Sequence, residues 1–247
     1  VVIKKTMTFE KDGRVNVHLI HGITGSGKTE VYMDLIDHCL KQGKQAIVLI
    51  PEIALTFQTM KRFSQKFKDK VSFIHSRLSK GERFDQFERA KTKDVSVMIG
   101  PRSALFTPFP DLGLIVIDEE HETSYKSESV PKYHAIEVAQ KRALDNGATV
   151  VLGSATPSME SYYRAKEGYY KLHKLTKREK GDVPKAQIID MREEHEKGNK
   201  SIISDKLREL ITNRLENGEQ TMLFLNRRGI SRVVSCKNCG EAIKCDH

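Results

Sequence analysis

Gly22-Ile23-Thr24-Gly25-Ser26-Gly27-Lys28-Thr29 constrains this chain more than any other stretch. The octapeptide has the spacing G-x-x-x-x-G-K-[ST], which cradles phosphate when a strand runs into it and a helix leaves it. Both flanks fit. Val15 to Ile20 alternates apolar and polar residues, as a strand does. From Glu30 to Gln42, the residues Val31, Leu35, Ile36, Cys39 and Leu40 fall on one helical face, and Gly43 is a suitable stop. Glycines in such a loop let backbone N–H groups turn towards an anion with no Cβ in the way. We expect Gly22, Ile23, Thr24, Gly25, Ser26, Gly27, Lys28, Thr29 and Glu30 to form a nucleotide-phosphate site. Lys28 would reach the β- and γ-phosphates as a point charge, and the Thr29 hydroxyl would sit on magnesium.

Downstream, the elements alternate. Gln45 to Ile50 is a nearly continuous apolar run, the pattern of a strand buried on both faces, and Pro51 ends it. Leu55, Met60, Phe63 and Phe67 recur at helical spacing, and Val71 to His75 returns to strand. Ser79 and Glu82 have the spacing of a capping box opening a third helix. Further strands are expected at Asp94 to Gly100, Gly113 to Ile117 and Thr149 to Leu152, with a helix from about Tyr133 to Asn146 that Gly147 would cap. This order predicts an α/β fold, a doubly wound, mainly parallel sheet.

The pattern changes near Leu175. Two charged stretches, Thr176 to Pro184 and Met191 to Lys200, flank a short strand-like run from Ala186 to Asp190. A helix from Asp205 to Asn217 and a strand from Thr221 to Asn226 then begin a second α/β unit with few residues left to complete it. The expected divisions are a first lobe over 1–175, a linker over 176–203, the start of a second lobe over 204–235 and a cysteine-bearing segment over 236–247. The chain reads as a fragment of something longer.

Net charge is +9 over 247 residues, which favours a polyanionic partner, nucleic acid above all. No apolar run approaches the ~20 residues of a membrane span, and the amino terminus lacks a signal-peptide pattern. The expectation is a soluble cytosolic protein with no membrane partner. Cys39 falls on the apolar helical face as a small core hydrophobe.

Chemistry is expected at a second place. Leu114-Ile115-Val116-Ile117 leads into Asp118-Glu119-Glu120-His121, so a buried strand delivers carboxylates to its carboxyl end, where open α/β sheets bind ligands. Asp118 is the candidate for magnesium, and Glu119 for the base or positioner of an attacking water. An ordinary carboxylate is ionised at neutral pH, so magnesium needs no special pKa here. Gly153-Ser154-Ala155-Thr156 ends the next strand, where small hydroxylated residues can contact those acids and relay their state. Pro157 would suit the first turn of a following helix.

The P-loop, DEEH and GSAT, in this order and spacing, resemble the first RecA-like motor lobe of a superfamily-two helicase. GITGSGKTEVY, PEIALT, FIHSRLS, GPRSALFTPF, VIDEEHETSYK, GSATPSMES and FLNRRG together resemble the bacterial replication-restart helicases, the primosomal protein N′ family, from about His18 to the end. The resemblance implies ATP- and Mg2+-driven 3′-to-5′ translocation on single-stranded DNA at forks, in the bacterial cytoplasm, by a monomer. It also implies other primosome proteins and single-strand-binding protein as partners. In such a motor Glu120, His121, Gly153, Ser154, Ala155 and Thr156 would couple hydrolysis to movement. The loop from Glu122 to Tyr133 would sense DNA, with Tyr125 and Tyr133 stacking on bases and Lys126 and Lys132 meeting phosphates. Arg102 and Ser103 would hold the strand without reading its sequence, and Pro51, Glu52 and Thr56 match another motif on that side. The family often carries tryptophan and arginine near Pro131 and Lys132, and arginine where this chain has Ile136; here these differ. An arginine acting across the cleft from the second lobe is also not found, so slow hydrolysis and no unwinding are expected of the chain by itself.

Cys236-x-x-Cys239-Gly240 has the form of a zinc knuckle, two thiolates from one tight turn, and Cys245 follows it. The resemblance implies that Cys245 opens a second pair, giving a Zn2+ site incomplete in this sequence. A reading of another class is a nucleotide-gated module that docks partner proteins without doing work.

Overall fold

The computed structural model describes residues 15–178 and 186–224, and the strand backbone of 234–235 and 242–243. It divides into two units, Val1–Val183 and Pro184–His247.

The first unit is built on seven strands: β1 Asn16–Gly22, β2 Gln45–Leu49, β3 Val71–Phe73, β4 Val97–Gly100, β5 Leu112–Asp118, β6 Thr149–Ser154 and β7 Lys171–Leu175. Their order is β3-β4-β2-β5-β6-β1-β7, and every pair is parallel. The helices between them are α1 Lys28–Lys41, α2 Phe57–Phe67, α3 Lys80–Lys91, α4 Ala135–Asn146 and α5 Met159–Lys166. The doubly wound α/β sheet expected from the sequence is therefore present.

Strand periodicity explains the two layers of core. Ile20, Ala46, Val48, Leu114, Val116 and Val151 turn to one face and pack with Tyr32, Met33 and Ile36 of α1 and Phe63 and Phe67 of α2. Val17, Leu19, Ile47, Leu49, Ile115, Ile117, Val150 and Leu152 turn to the other, against Ala90 of α3 and Ala135, Ala139 and Ala143 of α4. Cys39 is buried, its thiol donating to Gln45 O at 3.6 Å. The capping box at Ser79 forms in both directions, and Gly147 ends α4 in the left-handed conformation.

Some expectations are corrected. Lys171–Leu175 forms an edge strand, β7, that the sequence pattern does not announce because Lys171 and Lys174 interrupt it and are exposed. Pro157 lies outside α5; the cap is Ser158, which accepts from Ser161 N–H. In the second unit Ala186 to Asp190 is not a strand, and the charged stretch after it contains α6, Met191–Glu196, with Asp190 as its cap. The helix α7, Asp205–Glu216, forms as expected behind Ser204. Residues 221–224 carry no strand, and 225–226 lie outside the described residues. The short strands β8, Val234–Ser235, and β9, Ala242–Ile243, pair antiparallel.

The polar positions of β1 are not on a solvated face. β1 lies between β6 and β7, and His18 is fully buried. Its Nδ1 is 2.9 Å from Nε2 of His173 on β7, with the rings stacked at 5.1 Å. Burial, then His173 and Lys171, push the His18 pKa down from 6.5 to about 3. Below pH 6.5 the unfolded chain takes up a proton that the folded chain refuses, so stability is lost as pH falls towards 3. At pH 4.5 the loss from this residue is about 2–3 kcal/mol, at ~1.4 kcal/mol per pH unit. Urea unfolding at pH 7 and 4.5 checks this. His18→Leu should lose less stability between the two pH values than the parent does, and an equal loss would exclude His18 as the source.

Candidate functional site

The carboxyl ends of β1, β5 and β6 lie side by side, with β6 in the middle. β1 delivers the P-loop, β5 delivers Asp118 and Glu119, and β6 delivers Gly153 and Ser154.

The loop owes its shape to glycine at three positions. Gly25 (φ +77°) and Gly27 (φ +81°) occupy left-handed backbone that a side chain resists. A Cβ on Gly22 would come within 2.6 Å of Ser26 Oγ and 2.9 Å of Lys28 Cγ, inside the turn itself. Ser26 N–H donates to Ile23 O at 3.0 Å, which closes the turn. Gly27 is the cap of α1, so Lys28 and Thr29 open the helix at its positive end. The buried Lys28 ammonium donates to Gly22 O at 2.9 Å and lies 4.0 Å from Glu119 Oε1. Ser26 Oγ is buried and has no hydrogen-bond partner among the described residues. Glu30 does not join the loop; it forms an ion pair with Arg62 of α2.

Asp118 is half-buried and is held from two sides. The Tyr32 hydroxyl donates to Oδ1 at 2.9 Å, and the Tyr125 hydroxyl donates to the Asp118 carbonyl at 2.7 Å. Burial, then the Glu119 charge, raise the Asp118 pKa, with Tyr32, Lys28 and the Glu119 N–H acting in the opposite sense. The carboxylate is therefore not an ordinary surface acid, contrary to the expectation from sequence. Glu119 leaves the strand with φ +45°, a conformation that is uncommon for a residue with a side chain and that collects at functional sites. It stands between two nitrogens, Lys28 Nζ at 4.0 Å and His121 Nδ1 at 3.7 Å.

The coupling candidates meet physically. His121 Nδ1 is 2.7 Å from Ser154 Oγ, which accepts the Thr156 N–H at 2.9 Å. Glu120 is buried, and its N–H donates to Gly153 O at 3.0 Å. The Glu120 carboxylate accepts from Ser158 N–H at 2.7 Å, from Ser158 Oγ at 3.0 Å and from Ser161 Oγ at 2.9 Å. A buried acid thus anchors Ser158, the cap of α5, and the Ser161 hydroxyl at the start of that helix. Ala155 and Thr156 continue that turn and are half-buried and exposed respectively.

The DNA candidates lie along the carboxyl ends of β2, β4 and β5. A cleft of about 690 Å³ there is lined by Glu52, Arg83, Arg102, Ser103, Lys126 and Ser129 among others. Arg102 donates from Nη1 to Ser124 O at 3.2 Å and to Lys126 O at 2.6 Å, and so holds the loop that follows the acids. Lys126 and Lys132 are exposed. Tyr133 is half-buried, edge-on to Phe106 at 5.4 Å and 5.9 Å from the Arg102 guanidinium. Tyr125 is not available for stacking on a base, because it is 1 % exposed and spent on Asp118. Glu52 accepts the Ser76 N–H at 3.0 Å; the Ser76 side chain first, and then that N–H, hold its pKa down, and Thr56 caps α2.

Sequence reasoning passed over Tyr32, whose place on an apolar helical face reads as core. It also passed over Arg178, which donates to Thr24 O in the P-loop at 3.0 Å from far along the chain. Cys236, Cys239 and Cys245 lie outside the described residues.

The donor set at Thr29 and Asp118 is all oxygen, which suits magnesium. A lysine, a helix amino terminus and the unpartnered Ser26 hydroxyl beside it suit a polyphosphate.

The DEAD/DEAH box helicase family matches residues 3–165. The chain is 50% identical over 232 residues to the replication restart protein PriA of Bacillus subtilis (strain 168), covering 94% of the chain and 29% of that protein. It is 46% identical over 248 residues to that of Chlamydia pneumoniae, covering 99% and 33%. The chain thus spans about a third of the length of these relatives. Among solved structures it is similar in fold to the DUF1998 helicase MrfA, with a TM-score of 0.53 at 17% identity, covering 85% of this chain and 34% of that one.

Proposed function

This chain belongs to the DEAD/DEAH box helicase family, and from that premise we propose that it is the ATP-binding part of a DNA motor that restarts replication. The observation that carries the reading is the meeting of Lys28 with Glu119, at 4.0 Å, beside Asp118. Elements widely separated in sequence bring a lysine at a helix amino terminus and two carboxylates to one sheet edge, the groups that would serve as phosphate-binding cation, magnesium ligand and water-directing acid.

In this reading Lys28 and the N–H groups at the start of α1 hold the β- and γ-phosphates, and Thr29 and Asp118 hold magnesium. The metal supplies charge neutralisation where negative charge gathers. Glu119 orients the attacking water and takes its proton. His121 and Ser154 link that carboxylate to the turn at Thr156 that precedes α5, while Arg102 links β4 to the DNA-sensing loop. Arg102, Ser103, Lys126, Lys132 and Tyr133 contact the backbone and bases of single-stranded DNA, on which the motor travels 3′ to 5′. Forked DNA, other primosome proteins and single-strand-binding protein as partners, and the bacterial cytoplasm as location, follow from likeness to the replication restart proteins.

The test is the ATPase rate with and without single-stranded DNA, on this chain and on a full-length relative carrying it in place of its own segment. A rise of tenfold or more with DNA in the full-length protein is expected. Tight nucleotide binding with no response to DNA in either would instead favour a nucleotide-gated docking module.

A further inference from the structure

Tyr32 sits one turn beyond Lys28 on α1, so the helix that begins with the phosphate-binding lysine also carries this ring. The ring is 1 % exposed, and its hydroxyl crosses the sheet edge to Asp118 Oδ1 at 2.9 Å. It can do so only because of what lies beneath. β6 runs between β1 and β5, and Gly153 is paired with Ile20 on one side and Asp118 on the other. A Cβ on Gly153 would stand 1.7 Å from the Tyr32 hydroxyl oxygen and 2.7 Å from Cζ. The absent side chain of the middle strand is the passage through which the nucleotide helix reaches the acid.

Resting on the reading of this edge as an ATP and magnesium site, we propose that Tyr32 is a positioning residue, setting the Asp118 carboxylate for the metal through the gap at Gly153. The hydroxyl occupies Oδ1, and the Tyr125 hydroxyl fixes the Asp118 carbonyl at 2.7 Å. Asp118 is therefore fixed at both its side chain and its backbone before any ligand arrives. Such prior ordering spares a binding site the cost of arranging its own groups. A buried tyrosine hydroxyl needs a partner in any case, so a purely structural role makes a different forecast, and the two can be separated.

The measurement is the Mg2+ concentration that half-saturates magnesium-dependent binding of a fluorescent ATP analogue, read by anisotropy, for the parent, Tyr32→Phe, Asp118→Asn and the double variant. Tyr32→Phe keeps the ring and loses only the bond. Its magnesium requirement should rise about tenfold, the worth of one hydrogen bond to a charged group, with affinity in excess EDTA unchanged. In the Asp118→Asn background the same change should add nothing, as expected of a residue acting through that carboxylate. An unchanged magnesium requirement, or an equal further loss without Asp118, would overturn the proposal, as would loss of the cooperative thermal transition in Tyr32→Phe. If the parent itself shows no magnesium-dependent nucleotide binding, the reading of the site fails first, and that outcome is visible without any variant.

Discussion

Lys28→Ala is expected to weaken nucleotide binding by roughly 10²-fold and to bring hydrolysis to background, with the fold intact. The ammonium is buried at the mouth of the P-loop, where it donates to Gly22 O at 2.9 Å. There it is one exchange of partners away from a bound phosphate. Each hydrogen bond between a cation and a phosphate contributes about 1.5–3 kcal/mol, which sets the size of the loss. Alanine is a good helix former, and Lys28 is the first residue of α1, so the helix should form without it. Equilibrium titration with a fluorescent ATP analogue gives the affinity, and a thermal melt checks the fold. A variant that binds as tightly as the parent would remove Lys28 from the site.

Glu119→Gln should do the opposite to binding. The nucleotide should still bind, because the phosphate cradle is untouched, while single-turnover hydrolysis falls by about 10²–10⁴-fold, the usual worth of a positioned general base. Glutamine keeps the length and shape of the side chain. Glutamine also bears a Cβ, so it meets the same left-handed backbone at φ +45° and adds no strain that glutamate did not already have. What is lost is the negative charge between Lys28 and His121. A rate within threefold of the parent would transfer the role of directing water to another residue, Glu122 being one acid in the same turn, where its N–H donates to Glu119 O.

Most of the first unit was legible in the sequence for a simple reason. Its central strands are buried on both faces, so QAIVL and LGLIVID announce themselves as apolar runs, and the P-loop and the acids sit at their ends. The edge escaped. β7 alternates lysine with Leu172 and His173, and nothing local distinguishes that from a charged loop; only its pairing with β1 makes it a strand. Burial of polar side chains escaped for a related cause. His18 and Tyr125 look solvated or DNA-facing by type, and it is the packing of β7 and the turn after Asp118 that bury them. Tyr32 and Arg178 matter through partners 86 and 154 positions away, a distance across which residue spacing carries no signal. The charged stretch from Met191 hid a short helix because its cap, Asp190, reads as the end of a strand-like run.

The central claim is that the P-loop and the DEEH strand end form one magnesium-dependent nucleotide site with separable binding and hydrolytic parts. The most direct test follows one fluorescent ATP analogue, with and without Mg2+, through binding and single turnover in the parent, Lys28→Ala and Glu119→Gln side by side. The structure predicts magnesium-strengthened binding in the parent, little binding in Lys28→Ala, and retained binding without turnover in Glu119→Gln. Equal binding by all three, or loss of binding in Glu119→Gln with turnover surviving in Lys28→Ala, would contradict it.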